Sequence, residues 1–335
     1  MQRSLSDRPS VLVTGASGFI GSRTVQEFSD RGWTVFAMAH RRPIPAEKQA
    51  AWSDSVHVVQ GDIGDRRSLE AAFATCKAKM GGSEEIWLDA VVHCAGRASD
   101  VGHRRAFRRA NYDSVRHLGE LVMEHEVPRF VFISTTDVYG LRDFHGETEE
   151  ELDYDPRPWN PYPGYKIQAE KWIKNHMPSW QYSILRPAAV WAKDDPTMTR
   201  RVRDFLAVSP LIVHFGKWKG TNRWPKVHVD RVAQASVQAA TLPEAAGEAF
   251  NLLDPDWISV EEFYRLVIQM YFPEKRRRSV TIPFWLGYPF AKLVNVISNT
   301  LNLYSPICDP SLYALYTVSR NLDFSGQKAE RLLFD

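Results

Sequence analysis

Residues 11–21 read Val-Leu-Val-Thr-Gly-Ala-Ser-Gly-Phe-Ile-Gly and join a short apolar run to three evenly spaced glycines, Gly15, Gly18 and Gly21. A continuous apolar run is typical of a parallel strand buried on both faces. Glycines after such a strand let the backbone turn tightly and approach a phosphate, whose charge the next helix N-terminus stabilises. The stretch therefore predicts a strand, a phosphate-binding turn and a helix.

The residues after this turn favour a dinucleotide-binding βαβ unit over a merely structural turn. Apolar residues follow at Phe19, Ile20, Val25 and Phe28. Their spacing predicts an amphipathic helix to about residue 31, and a second strand begins at about Trp33. The glycine spacing differs from the Gly-x-Gly-x-x-Gly fingerprint, so the prediction depends on this context.

Length and composition limit the classes of protein. The chain has 335 residues, 44% of them hydrophobic, and a net charge of +2, which allows one large or two ordinary domains and predicts no nucleic-acid partner. Cys76, Cys94 and Cys308 are too scattered for a disulfide framework, and no metal site is expected. The first ten residues lack an apolar signal core, so we expect a cytoplasmic location.

The exit of the second strand indicates which dinucleotide binds. No acidic residue occurs between Asp30 and Glu47, whereas His40, Arg41 and Arg42 stand where the strand ends. An acidic residue there would bind the ribose of NAD, whereas a guanidinium can pair with the 2′-phosphate of NADP. We favour NADP over NAD; a solvated basic loop is the alternative.

The third strand, residues 56–60, leads into Gly-Asp-Ile-Gly-Asp and a predicted helix over residues 66–79. Asp62 can accept a hydrogen bond from the adenine amino group while Ile63 packs on the ring. Equally, Asp65 can cap the helix. Both interpretations stay open at this point.

A fourth strand, residues 90–94, ends at Ala95 and Gly96, a second small-residue turn at the edge of the sheet where cofactor contacts belong. His93 within this strand is predicted to be a packed core histidine. Asn111 lies in a later helical stretch, where an amide side chain is unusual and can kink the backbone.

Acid–base chemistry is indicated by Tyr162 and Lys166. They are four residues apart, so on a helix they share one face, and the ammonium can reach a cofactor ribose. A phenol has a pKa of about 10, and a nearby cation favours its anion. The pair therefore predicts a tyrosine whose pKa is lowered toward neutral pH.

The glycine turn, Ser134-Thr135-Thr136 at the end of a strand, and the Tyr-x-x-x-Lys at 162–166 together resemble the extended short-chain dehydrogenase/reductase (NAD-dependent epimerase/dehydratase) family. The resemblance covers about residues 10–235. It implies an α/β fold, a doubly wound parallel (Rossmann) sheet with a smaller mixed C-terminal substrate lobe. We expect an NADP-binding core at residues 1–186, to which residues 225–253 return, and a substrate-binding lobe at residues 187–224 and 254–335.

The resemblance also implies roles for individual residues. Thr135 matches the hydroxyl that orients the substrate oxygen, and Tyr162 matches the proton donor or acceptor. Lys166 matches the residue that holds the tyrosine and the nicotinamide ribose, and Asn111 the structural, proton-relay asparagine. The cofactor-binding residues predicted from the turns above or implied by the resemblance are Gly15, Ser17, Gly18, Phe19, Ile20, Gly21, His40, Arg41, Arg42, Asp62, Ile63, Ala95, Gly96, Tyr162, Lys166, Pro187 and Val190.

Two segments depart from the family pattern. Residues 186–191 look like its Arg-Pro-x-x-Val-Tyr segment, but Trp191 replaces the customary tyrosine, which reshapes the pocket. Residues 227–230 are similar to a later strand-and-helix entry, but Arg231 stands where a second Asp is usual. We interpret this later entry as structural.

The lobe is rich in aromatic residues, namely Trp191, Phe215, Trp218, Trp224, Trp257, Trp285, Tyr288 and Phe290. Aromatic surfaces line apolar pockets, so we expect a small hydrophobic substrate, although core packing explains any single one of them. Asn-Pro-Tyr-Pro at 160–163 and the aromatic C-terminal segment look most like the 3β-hydroxysteroid dehydrogenase and sterol 4-carboxylate 3-dehydrogenase branch.

The segment 275–303 has two interpretations. Lys-Arg-Arg-Arg at 275–278 precedes a predicted helix with Phe290, Leu293, Ile297 and Leu301 at helical spacing. We favour a helix whose apolar stripe packs on the lobe, because such stripes ordinarily face a core. The alternative is a peripheral contact with an anionic membrane surface.

The leading hypothesis is an NAD(P)-dependent enzyme that interconverts a secondary alcohol and a ketone on a sterol-like or long-chain β-hydroxy/keto substrate. One alternative is a nucleotide-sugar epimerase or dehydratase, although Thr136-Asp137 replaces the Asp-Glu common in dehydratases. The other is a non-catalytic NADP-binding protein, for which a damaged Tyr-x-x-x-Lys would be expected. Family resemblance implies a homodimer, since helices like those at 104–126 and 161–176 often pair between subunits.

Overall fold

The computed structural model of the chain describes residues 9–81, 88–99, 102–193, 195–301 and 311–335, and Cys308 lies outside them. The strands are, in chain order, β1 (Ser10–Thr14), β2 (Thr34–Ala39), β3 (Val56–Gln60), β4 (Ala90–His93), β5 (Arg129–Ile133), β6 (Phe144–Glu147), β7 (Tyr182–Pro187), β8 (Ala189–Trp191), β9 (Leu211–Phe215), β10 (Arg223–Trp224), β11 (Lys226–His228), β12 (Ala249–Leu252), β13 (Ile258–Ser259), β14 (Arg278–Ile282) and β15 (Leu322–Phe324).

The helices alternate with the strands over the first half of the chain. They are α1 (Phe19–Asp30), α2 (Ala46–Ala50), α3 (Arg66–Lys79), α4 (Arg104–Arg108), α5 (Ser114–Glu124), α6 (Pro161–His176), α7 (Met198–Val208), α8 (Val229–Thr241), α9 (Val260–Tyr271), α10 (Phe284–Leu301), α11 (Leu312–Ser319) and α12 (Gln327–Ala329). A π-helical turn, Arg109–Asp113, joins α4 to α5.

The central sheet has seven strands in the order β12-β7-β5-β4-β1-β2-β3, and every neighbouring pair is parallel. The doubly wound parallel sheet is therefore confirmed. The chain proceeds outward from β1 to β3 and then returns to place β4 on the other side of β1. Ligands of such sheets bind at the carboxyl ends of the strands where the order reverses, which is where the glycine turn leaves β1.

Alternate residues of the strands build two cores, one on each face of the sheet. Val11 and Val13 of β1 are fully buried in a core that includes Phe28 of α1 and Val232 of α8. Leu12, between them, is buried in a second core with Phe73 of α3. Because both faces are covered, the strands read as unbroken apolar runs.

Local signals predicted several element boundaries. The helix expected over residues 66–79 is α3, and its N-cap is Asp65, whose side chain accepts a 3.0 Å hydrogen bond from the Arg67 amide. Capping by Asp65 is thus confirmed, because the side chain satisfies an amide that has no partner within the helix.

Outside the sheet, α7, β9 and α9 share a core that includes Leu206, Ile212 and Phe263. The boundaries of the substrate-binding lobe stay a prediction. The end of the chain packs elsewhere, because Ala329 and Leu333 are buried in the same core as α8. The last residues therefore stabilise one face of the central sheet.

Helix α10 turns its apolar stripe outward. Phe290, Leu293 and Ile297 are 60%, 57% and 42% exposed, so the expectation that this stripe packs on the lobe is wrong. The helix is held by its opposite side, where Ala291 is 1% exposed and the Phe284 ring lies 5.3 Å from that of Tyr316 in α11. Of the helices that the structure describes, none could cross a bilayer.

Candidate active site

The turn after β1 is too crowded for a side chain at its three glycine positions. Gly15 has a φ of +71°, a conformation that favours glycine. A Cβ atom at Gly21 would lie 2.2 Å from the Gly15 carbonyl oxygen, and one at Gly18 would lie 3.0 Å from it. Gly18, the N-cap of α1, supplies no capping side chain, so the first amides of α1 suit an anion. This geometry fits the pyrophosphate of a dinucleotide.

A cavity of about 560 Å³ opens at this turn and extends along the carboxyl edge of the sheet. Its walls include the predicted catalytic residues Thr135, Tyr162 and Lys166 and many of the residues predicted to bind the cofactor. The predicted residues that line it are Gly15, Gly18, Phe19, Ile20, Gly21, Gly96, Thr135, Tyr162, Lys166, Pro187 and Val190. The structure therefore brings the two separately predicted motifs to one cavity.

Tyr162 and Lys166 owe their positions to the start of α6. The Asn160 side chain caps this helix by accepting a 2.7 Å hydrogen bond from the Tyr162 amide, and Pro161 occupies the first turn. The two predicted catalytic side chains consequently lie in the first two turns of α6. Lys166 is 4% exposed, and its Nζ donates a 2.6 Å hydrogen bond to the carbonyl oxygen of Ile133.

Burial sets the protonation of both groups. It lowers the pKa of Lys166 to about 8, against the opposing charges of Glu170 and Cys94. It also raises the pKa of Tyr162, with further help from the Asp137 carboxylate, and a hydrogen bond with Thr135 only partly opposes this. The expectation of a lowered phenol pKa is therefore wrong for this arrangement, because desolvation of the phenolate outweighs the hydrogen bond with Thr135 that would lower the pKa.

Thr135 lies where β5 ends, next to the phenol. Its backbone is extended, and its Oγ1 accepts a 3.2 Å hydrogen bond from the Asp137 amide. Thr135 is thereby the N-cap of the short 3₁₀ turn Thr136–Tyr139. The side chain is 8% exposed and lines the cavity. The hydroxyl thus has a fixed direction beside Tyr162.

Asn111 holds the backbone next to Gly96, which is one of the residues that line the cavity. It lies in the π-helical turn, where its Oδ1 accepts a 2.9 Å hydrogen bond from the Arg97 amide and its Nδ2 donates to the Arg97 carbonyl at 3.1 Å. A Cβ atom at Gly96 would lie 2.8 Å from that Oδ1 and 3.6 Å from the Lys166 Nζ. Asn111 therefore shapes the Gly96 turn close to Lys166, but it is not among the residues that line the cavity.

The residues predicted to bind the adenosine lie beyond the cavity. His40, Arg41 and Arg42 are exposed at the end of β2. Asp62 lies beside them and accepts hydrogen bonds from the Gly64 amide at 2.9 Å and from Arg109 at 2.6 Å. Burial acts to raise the pKa of Asp62, but these two contacts lower it overall.

Several of the predicted cofactor contacts stay predictions. Both Asp62 oxygens have protein partners, so its adenine contact stays a prediction, as does packing by Ile63. Ser17 and Ala95 belong to the two turns without lining the cavity, although a Cβ atom at Gly15 would lie 2.9 Å from Ala95. The selection of NADP by the basic residues also stays a prediction.

His93 is confirmed as a packed core residue. It is fully buried between the rings of Phe130 and Phe132, and it shares hydrogen bonds with Thr14 at 2.7 Å and Ser114 at 3.2 Å. Burial, followed by the charge of Lys166, lowers its pKa to about 3. The imidazole is therefore neutral at physiological pH.

A buried ion pair stabilises the strand end that carries Thr135. Glu170, fully buried on α6, pairs with Arg186 of β7 at 2.6 Å and accepts hydrogen bonds from the Ser134 and Tyr154 hydroxyls. Burial acts to raise the pKa of Glu170, but Arg186 and these hydroxyls lower it overall. The sequence offered no spacing signal for this network.

Several cavity residues were not predicted, and they come from distant parts of the chain. They are Ala98, Ser99, Asp137, Trp159, Met198, Arg200, Arg201, Val294, Asn295 and Tyr313. The rings of Trp159 and Tyr313 stack with centroids 4.3 Å apart although 154 positions separate the two residues in the chain. No local pattern could have identified them, because the tertiary fold alone brings them together.

Comparison with known proteins agrees with this site. The profile described as the NAD dependent epimerase/dehydratase family matches residues 11–252, which include the glycine turn and the Tyr-x-x-x-Lys. The chain is 28% identical to 3 beta-hydroxysteroid dehydrogenase/Delta 5→4-isomerase of Mycobacterium tuberculosis, over 77% of this chain and 68% of the relative. It is 25% identical to 2-alkyl-3-oxoalkanoate reductase of Shewanella oneidensis, over 95% and 80%.

Among solved structures, UDP-glucose 4-epimerase of Thermus thermophilus in complex with NAD has a TM-score of 0.64 at 22% identity, with 82% of this chain and 86% of the epimerase covered. At that identity the likeness concerns the fold alone. The family profile, however, matches well over half of the chain. The chain therefore belongs to the NAD dependent epimerase/dehydratase family and is an NAD(P)-dependent enzyme of the extended short-chain type.

Proposed function

We propose that this enzyme reduces a ketone to a secondary alcohol, and catalyses the reverse oxidation, on a hydrophobic substrate of the sterol-like or β-keto acid type. The observation that carries the proposal is the meeting of Thr135, Tyr162 and Lys166 with the glycine turn in one cavity. A nicotinamide cofactor held on that turn supplies or accepts the hydride.

The side chains of this protein handle the substrate oxygen and its proton. The Tyr162 phenol, whose pKa burial raises, stays protonated at neutral pH and donates its proton to the carbonyl oxygen during reduction. The Thr135 hydroxyl donates a hydrogen bond to the same oxygen as negative charge develops there. Lys166, buried in the same cavity, would hold the cofactor ribose and place a positive charge near the phenol.

The cavity walls support a substrate with a large apolar body. Trp159, Met198, Val294 and Tyr313 line the cavity. Burial of apolar surface against such walls is the main source of affinity for sterols and acyl chains. The two relatives described above have names that refer to a hydroxysteroid and a 2-alkyl-3-oxoalkanoate, which is consistent with either class.

NADP is proposed as the preferred cofactor. Arg41 and Arg42 are exposed at the end of β2, and no acidic residue of β2 faces the ribose position. A guanidinium there can pair with a 2′-phosphate. NAD remains the alternative, which the name of the family and the NAD complex of the Thermus structure favour.

A second candidate function is nucleotide-sugar epimerisation. Arg200 and Arg201 also line the cavity, and guanidinium groups suit a diphosphate. An epimerase would use the same Tyr162 and Lys166 but would regenerate its cofactor in each cycle. Thr136-Asp137 in place of Asp-Glu argues against the dehydratase variant. Because the Tyr-x-x-x-Lys pair is intact, a purely non-catalytic NADP-binding role has the least support.

One experiment separates these functions. Purified enzyme is mixed with steroids, acyl β-ketones or UDP-sugars and with NADPH or NADH, and both product and absorbance of the reduced nicotinamide are followed. Our proposal expects stoichiometric loss of that absorbance with a hydrophobic ketone, faster with NADPH. Conversion of a UDP-sugar without net absorbance change would contradict it and establish the epimerase. The cytoplasmic location and the homodimer stay predictions.

A further inference from the structure

Helix α10 presents an exposed apolar face. Its exposed large side chains are Trp285 at 70%, Leu286 at 51%, Phe290 at 60%, Leu293 at 57%, Val296 at 55% and Ile297 at 42%. With 3.6 residues per turn, these positions fall on one side of the helix, opposite the buried Ala291. A contiguous apolar surface of this kind marks an interaction site rather than scattered exposure.

The chain segment that leads into and forms this helix carries charge of one sign. No acidic residue occurs between Glu274 and Asp309, whereas the basic residues in that interval are Lys275, Arg276, Arg277, Arg278 and Lys292. All of them are exposed except Arg277, which is partly buried and donates to the Ser209 carbonyl. The apolar helix α10 therefore begins only a few residues after a positively charged segment of the chain.

We propose that α10 and the basic segment 275–278 form a docking surface for an anionic lipid membrane. Phosphate headgroups complement the basic segment, while the aromatic and aliphatic side chains enter the boundary between headgroups and acyl chains. The helix lies in the plane of the surface, because α10 is not apolar enough to cross a bilayer. A second copy paired through the same face would offer the basic segment no anionic partner, because the intervals 275–308 of both copies lack acidic residues, whereas phosphate headgroups supply that charge.

The position of α10 connects this surface to the cavity. Val294 and Asn295, on the inner side of the same helix, line the cavity that holds Tyr162 and Lys166. One wall of the cavity is thus the helix that would rest on lipid. An apolar substrate dissolved in the membrane would reach the cavity along α10 with little exposure to water.

Co-sedimentation of the full chain with lipid vesicles tests this proposal. Phosphatidylcholine vesicles with and without phosphatidylglycerol are compared at low and high salt. We expect binding to the anionic vesicles, weaker at high salt. Trp285→Ser should reduce that binding roughly tenfold or more, because it removes the most exposed aromatic side chain. The matched control is Trp180→Ser, since Trp180 is 53% exposed and lies outside this surface.

A second pair of variants tests the charge. Replacing Arg276 and Arg278 by Gln should weaken binding to anionic vesicles and reduce its salt dependence. The matched control replaces Arg104 and Arg105, which are exposed on α4. Thermal unfolding and NADPH binding of each variant verify that it is folded.

Three outcomes would overturn the proposal. The first is no sedimentation with either vesicle, and the second is equal binding of all variants. The third is a wild-type dimer that Trp285→Ser converts to a monomer in light scattering without any vesicle binding. That last result would show that a second copy of the chain covers α10.

Discussion

The Nζ atom of Lys166 donates a 2.6 Å hydrogen bond to the main-chain carbonyl oxygen of Ile133. This contact ties α6 to the end of β5, two residues before Thr135. The same ammonium lies 4.4 Å from the centroid of the Phe132 ring. The residue proposed to hold the cofactor ribose is therefore positioned by the sheet itself, and its burial has measurable consequences.

Replacement of Lys166 by Met should change how stability depends on pH. Burial lowers the pKa of Lys166 from its ordinary value of 10.5 to about 8, so the unfolded chain binds the extra proton between these pH values. Stability of the wild type relative to Lys166→Met should then rise by up to about 3 kcal/mol between pH 8 and 10.5. Urea unfolding at several pH values measures this difference. Lys171→Met, at an exposed position of α6, is the control; an unchanging difference for Lys166→Met would contradict the lowered pKa.

Replacement of Tyr162 by Phe should lower kcat by about 100-fold or more, because it removes the proposed proton donor. The affinity for NADPH should change little, since the glycine turn is untouched. Single-turnover absorbance measures the chemical step, and fluorescence titration measures cofactor binding. Tyr165→Phe on the same helix is the matched control. Equal turnover by the two variants would exclude the proposed role of Tyr162.

Thr135 can be tested by a pair of substitutions. Thr135→Val removes the hydroxyl and should reduce kcat by about 100-fold, because the developing charge on the substrate oxygen loses a donor. Thr135→Ser restores the hydroxyl and should recover most of the activity. The comparison uses kcat and KM for the best ketone found. If the Val variant keeps full activity, another group stabilises the oxygen.

The choice between NADP and NAD should depend on Arg41 and Arg42. Replacing both by Ser should raise KM for NADPH by about tenfold or more, because a charged hydrogen bond contributes about 1.5–3 kcal/mol. KM for NADH should stay nearly constant. The control replaces Arg104, which is exposed on α4. Equal changes for both cofactors would argue against recognition of a 2′-phosphate.

The buried pair of Glu170 and Arg186 should matter for stability. Glu170→Gln leaves the Arg186 guanidinium, which is 3% exposed, without its anion and should cost about 3–5 kcal/mol of unfolding free energy. By contrast, Glu124→Gln weakens the half-exposed pair with Arg66 and should cost less than about 1 kcal/mol. Urea midpoints at pH 7 provide both values. If both variants lose less than about 1 kcal/mol of unfolding free energy, the charge of Arg186 must be solvated by water in the Glu170→Gln variant.

Local spacing was sufficient for the parts of the site that lie on one element. The turn at 11–21 needs only a strand, small residues and a helix start, and the sheet topology agrees with it. Tyr162 and Lys166 share a face because they are four residues apart on α6, whose cap Asn160 is also local. These features could be predicted because the relevant interactions join near neighbours in the chain.

Long-range packing decided the remaining properties. Burial and the Asp137 carboxylate reverse the expected direction of the Tyr162 pKa, and spacing along a helix carries no information about either. The cavity wall that Trp159 and Tyr313 form by stacking exists only because two distant segments of the chain meet. The apolar stripe of α10 could be predicted from the spacing of its residues, but that spacing does not indicate whether the stripe faces protein or solvent.

The sequence by itself thus determined the βαβ phosphate turn and the placement of Tyr162 and Lys166 on one helix face, because these depend on residues close together in the chain, while the parallel sheet was implied by the family resemblance. Only the tertiary structure decided the protonation of Tyr162, the far wall of the cavity and the outward direction of α10. Desolvation and packing depend on which distant segments meet, so no local pattern encodes them.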